Sequence, residues 1–72
     1  MIKKAFKIIS AIEHKRYEWY WIYRKFPKYV YINIKMANII EKFYGRENLD
    51  NVCTLNVIID NKIKKVKDIW IR

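Results

Sequence analysis

The sequence predicts a small single α+β domain over residues 1–72, in the order helix–hairpin–helix–hairpin. About four antiparallel strands are expected, with the helices packed on one face. Three observations predict it. Apolar residues recur at helical spacing over 2–14 and 35–44. Segments 17–25, 29–34 and 52–59 are rich in aromatic and β-branched residues or alternate as strands do. With one Gly, one Pro and no repeat, nothing divides the chain. A sheet covered by helices on one side is the natural packing of such an order.

In residues 2–14, Ile2, Ala5, Ile8, Ile9 and Ile12 share one helical face, while Lys3, Lys7, Ser10 and His14 take the other. Residues 17–25 are predicted as a strand, because Tyr, Trp and Ile suit a pleated surface. Alternation then sets Tyr17, Trp19, Trp21 and Tyr23 against Glu18, Tyr20, Ile22 and Arg24. A long helix running on from residue 2 competes with this reading. It keeps Trp19, Tyr20, Tyr23 and Phe26 near the first helix's apolar face and leaves Trp21 outside. Pro27 has no N–H and a fixed φ, so the chain breaks there. In 29–34, Val30, Ile32 and Ile34 alternate with Tyr29, Tyr31 and Asn33, and a hairpin with 17–25 follows. Met36, Ile39, Ile40 and Phe43 then return to helical spacing, and Gly45 stands where a left-handed residue ends a helix. A polar loop, RENLDN, leads to the strand 52–59. Asp60-Asn61 is read as a turn into a basic strand over 62–71.

A chain of 72 residues buries only ~60% of its unfolded surface and is marginal alone. The single Cys53 excludes an internal disulfide and gives no metal-ligand spacing. A homo-oligomer is therefore expected to supply buried surface, and a free thiol fits a reducing, cytoplasmic setting. No apolar run approaches the ~20 residues a bilayer needs, so no membrane insertion is expected. The opening MIKKAFKIISAIEHK is basic but lacks a small-x-small cleavage site. Ile, Lys, Asn and Tyr fill 38 of 72 positions, which points to AT-rich coding such as a phage or mobile element carries.

Catalysis has thin support, and no cofactor or metal is expected. His14 is the only histidine and has no nucleophile near it in sequence; Cys53 sits in an apolar segment, where an inert buried thiol is the default. Asp50, Asp60 and Lys62 have a spacing that resembles the PD-(D/E)xK nucleases. Leu49 replaces that motif's proline, and the chain is too short for that family's usual core.

Charge and rings carry the functional expectation. The net charge is +9. Residues 1–36 hold nine basic side chains against Glu13 and Glu18, whereas 37–72 hold seven against five acids. Six aromatics stand in the ten residues YEWYWIYRKF, and Tyr29 and Tyr31 follow. On a strand, Trp19, Trp21, Tyr23, Tyr29 and Tyr31 would form one surface edged by Arg24, Lys25 and Lys28. Bases stack on such rings at ~1–3 kcal/mol each while cations neutralise phosphates. Lys62, Lys64, Lys65 and Lys67 would add a basic β-arm tracking phosphates, though lysines on an edge strand also discourage aggregation. The expected function is non-catalytic nucleic-acid binding, to single strands of DNA or RNA rather than duplex. The alternative is a small phage- or mobile-element-type inhibitor or adaptor whose partner is an acidic protein surface, with the rings as its interface or as that of a homodimer. In a third arrangement the rings are core beneath the first helix.

Overall fold

The apolar stripe that opens the chain does not stop at residue 14. In the computed structural model, which describes residues 2–45 and 51–72, helix α1 spans Ile2–Tyr23. The competing long helix is therefore the one that forms, and the strand expected over 17–25 does not exist. Ala5, Ile8 and Ile12 are buried along it, and Ile9 and Trp19 extend the same stripe partly buried against the core. Burial of that continuous face outweighs the β-preference of Tyr17, Trp19, Tyr20, Trp21 and Ile22. The helix ends where Arg24 turns left-handed at φ 58° and its N–H donates to the Tyr20 carbonyl at 2.7 Å. Phe26 then folds back, its ring stacked on Tyr20 at 4.8 Å.

Strand β1 (Tyr29–Ile32) follows. It stops two residues earlier than its alternation suggests, because Asn33 caps the next helix, α2 (Ile34–Tyr44). The Asn33 side-chain oxygen accepts from the Met36 N–H, and its amide donates to the Ile63 carbonyl, both at 2.8 Å. One side chain thus starts α2 and fastens the 61–65 loop. Replacing Asn33 by Ala should lower unfolding free energy by about 2 kcal/mol, a cap plus a half-buried hydrogen bond. Asn33→Asp keeps the cap acceptor and loses the amide donor, so its denaturant midpoint should fall between the two. Ile34, expected inside the sheet, is instead the first residue of α2 and is exposed. Gly45 closes the helix as expected, at φ 88° with its N–H on the Glu41 carbonyl.

The loop expected over 46–51 lies, at 46–50, outside the described residues. The strand expected over 52–59 is broken. Strands β2 (Asn51–Val52) and β3 (Leu55–Ile59) pair antiparallel across Cys53-Thr54, with Val52 opposite Leu55. Both turn residues have positive φ, 53° and 65°, which makes this a two-residue I′-type hairpin. Neither residue favours that region, and a β-branched Thr is the more costly of the two. The basic strand expected over 62–71 is mostly loop. The Ile63 N–H donates to the Asp60 carbonyl and turns the chain there, but the hairpin expected at Asp60-Asn61 does not form, since β3 pairs with no strand that follows it. Ile63 is then buried, a 3-10 turn covers Val66–Asp68, and only Trp70–Ile71 form a strand, β4.

The sheet order is β2-β3-β1-β4. Its central pair, β1 with β3, is parallel, with Val30 beside Val57 and Tyr31 beside Ile58. The all-antiparallel double hairpin is thereby corrected: α2 carries the chain across between two parallel strands. Strand β4 pairs antiparallel with β1, Ile71 beside Val30 and Trp70 beside Tyr31. The last residue is tied in as well, since the Lys28 and Tyr29 N–H groups donate to the Arg72 carbonyl at 2.8 Å. Val30, Ile32, Leu55 and Ile71 point inward, into one core with Ile8 and Ile12 of α1 and Met36, Ala37 and Ile40 of α2. Ile63 and Ile69 close it from the loop. No helix among the described residues is long and apolar enough to cross a membrane.

Candidate nucleic-acid interface

The aromatic surface expected over residues 17–31 divides in three, because a helix sends positions two apart to opposite flanks. Trp19 turns inward. It packs beside the core with Tyr23 at 4.3 Å, and its indole N–H has no partner among the described residues. Trp21 turns outward and is 52% exposed, edge-on to Tyr17 at 6.1 Å with the Arg24 guanidinium 4.9 Å above its ring. Lys25 and Lys28 are exposed in the connection to β1. Trp19, Trp21 and Tyr23 therefore share no platform with Tyr29 and Tyr31.

Tyr29 and Tyr31 do share a face, the one opposite Val30 and Ile32. The sheet register adds Asn56 and Ile58 from β3 and Trp70 and Arg72 from the C-terminal strand. Tyr31 and Trp70 stand side by side with rings stacked at 4.0 Å and 3° between planes. The Arg72 guanidinium lies 5.4 Å from the Tyr31 ring and 5.8 Å from Trp70. Tyr31 is buried within this group, whereas Trp70 is 42% and Tyr29 38% exposed. The indole thus rests on Tyr31, and part of Trp70 still meets solvent. Among the described residues, none of the strand positions on this face is acidic. Trp70 and Arg72 were not among the residues expected at the site, because only the pairing of β4 with β1 brings them beside Tyr29 and Tyr31. The available signal was Trp70 standing one alternation from Ile69 and Ile71 in a terminal apolar run.

The lysines of 62–67 do not form an arm. The Asp60 carboxylate accepts the Lys62 N–H at 3.0 Å, and Asp68 accepts the N–H groups of Lys64 and Lys65 at 3.4 and 3.0 Å. These acids shape the loop so that it curls back on α1, where Lys15 Nζ donates to the Lys67 carbonyl at 3.4 Å. Lys64 and Lys65 thereby meet Lys4 and Lys7 of α1 and Lys35 of α2. Lys67 joins Lys7 and Lys15 further along the same seam. None of these seven lysines is ion-paired among the described residues. This seam lies on the helical side of the domain, away from Tyr29 and Trp70.

Asp60 is spent on its turn, and Asp50 lies outside the described residues. No group of three or more His, Cys, Asp or Glu is placed to hold a metal among the described residues. Exposed His14 bonds Glu18, Nε2 to Oε1 at 2.6 Å. Partial burial, and then the neighbouring Glu13 carboxylate, push the Cys53 thiol up from its ordinary value, which disfavours the reactive thiolate. No protein-family model, curated protein or solved structure matches this chain.

Proposed function

We propose that the protein binds single-stranded nucleic acid without chemistry, on the sheet face made by Tyr29, Tyr31, Trp70 and Arg72. The observation that carries this is the Tyr31–Trp70 stack under Arg72, on the side of the sheet facing away from both helices. The exposed part of the indole would continue the stack onto a base, and Tyr29 offers a second ring two residues along β1. Such stacking accepts any base, because every base has a π-face. Arg72, with Lys28 at the same end of the sheet, supplies charge for the backbone. The net charge of +9 supports the same class of partner. The test is a titration of labelled single-stranded DNA and RNA at two salt concentrations. Affinity should fall with added salt as counterions are released, and duplex of the same sequence should bind less well.

A second reading has its own observation. Tyr17, Trp21, Ile22 and Phe26 are each more than half exposed around the end of α1, which is the composition of a protein interface. A second copy or an acidic partner protein would cover them. Sedimentation or light scattering of the purified chain should then give a dimer mass that Trp21→Glu reduces to a monomer. A monomer at all concentrations leaves only the partner protein for this surface.

A further inference from the structure

The lysine seam contains a cavity of about 290 Å³ between α1, the start of α2 and the 63–66 loop. Its rim is Lys4, Lys7, Lys35, Lys64 and Lys65; its floor is Ile8, Met36, Ile39 and Val66. The one other polar liner there, Asn33, has both side-chain groups committed, to Met36 and Ile63. The site therefore offers ammonium groups and apolar surface and little else. Five cations around one small cavity repel one another, and one carboxylate would not offset them. A cluster of phosphates would, and lysine suits it as a mobile point charge that demands no planar acceptor. The apolar floor would go unused by an inorganic chain of phosphates. The volume is at the lower end for small-molecule sites, about the size of one nucleotide.

We propose that this cavity binds an organic polyphosphate, its phosphates among Lys4, Lys7, Lys35, Lys64 and Lys65 and its apolar body, such as a nucleobase, on Ile8, Met36, Ile39 and Val66. The site is separate from the sheet face and stands whether or not that face holds a polynucleotide.

Calorimetric titration with ATP and with inorganic tripolyphosphate tests it. ATP should bind about tenfold more tightly than tripolyphosphate, because only ATP covers the apolar floor. The double variant Lys4→Gln/Lys64→Gln should lose at least about tenfold in ATP affinity. Lys3→Gln/Lys42→Gln, which removes the same charge away from the cavity, should change it by no more than about twofold. Tyr29→Ala/Trp70→Ala should leave ATP binding intact while weakening single strands, so the two sites succeed or fail separately. Three results would overturn the proposal: no heat with ATP at millimolar concentration, equal affinity for ATP and tripolyphosphate, or equal losses from the two lysine pairs.

Discussion

Replacing Ile12 by Ala should come close to unfolding the domain, while replacing Ile22, ten residues further along the same helix, should hardly register. Ile12 is fully buried where α1 meets the core, and Ile22 is 69% exposed. Truncating a buried Ile costs about 2–5 kcal/mol, because lost transfer energy adds to the cavity left behind. Total stability at ~0.05–0.15 kcal/mol per residue leaves a chain this short only several kcal/mol to lose. In a domain of this size each kcal/mol moves the melting temperature by roughly 4–8 °C. Thermal melts by circular dichroism should therefore show Ile12→Ala lower by tens of degrees or already unfolded. Ile22→Ala should stay within about 0.5 kcal/mol of the parent. The contrast also tests helical phasing through residue 22: a strand over 17–25 would have turned Ile22 toward the core.

The second large effect concerns the sheet face. Trp70→Ala removes the flat on which a base would stack and should weaken single-strand binding about tenfold, the middle of the range for one aromatic platform. Tyr29→Ala should cost a similar factor. Neither variant changes charge, so the slope of affinity against salt should stay constant. Lys28→Gln should do the reverse, with a small loss at low salt and a shallower slope. Trp70→Ala also strips the Tyr31 ring of its stacked neighbour, worth about 0.5–1.5 kcal/mol of stability. Binding should accordingly be compared well below each variant's melting temperature.

The parts of the fold legible in the sequence are those whose signals are local. The spacing of Met36, Ile39 and Ile40 marks α2 and Gly45 marks its end without help from the rest of the chain, whereas the cap at Asn33 was hidden inside the alternation of 29–34. Alternation in YVYI marks β1 and correctly sends Tyr29 and Tyr31 away from Val30 and Ile32. The stretch 17–23 misleads because aromatic residues raise β-propensity, while the decisive term is non-local. Trp19 lies on a stripe begun by Ala5, Ile8 and Ile12, and the core beneath decides that stripe. Parallel pairing of β1 with β3 is invisible to alternation, which reports a strand's two faces and not its partner's direction. Cys53-Thr54 carries no turn signature at all; its positive φ values are imposed by the pairing of Val52 with Leu55.

The candidate site follows the same division. Tyr29 and Tyr31 were legible because a strand fixes which residues share a face. Their partnership with Trp70 and Arg72 was not, because it depends on β4 pairing with β1 across some forty residues of chain. The lysines of 62–67 were visible as a cluster. Their meeting with Lys4, Lys7 and Lys35 needed the curl that Asp68 and Lys15 impose on the loop.

The most direct measurement titrates one fluorescent single-stranded oligonucleotide against three proteins: the parent, Tyr29→Ala/Trp70→Ala, and Trp21→Ala. A roughly hundredfold loss in the double variant, with Trp21→Ala close to the parent, is the predicted result. Undiminished affinity in the double variant, or a loss confined to Trp21→Ala, would contradict the assignment of the sheet face.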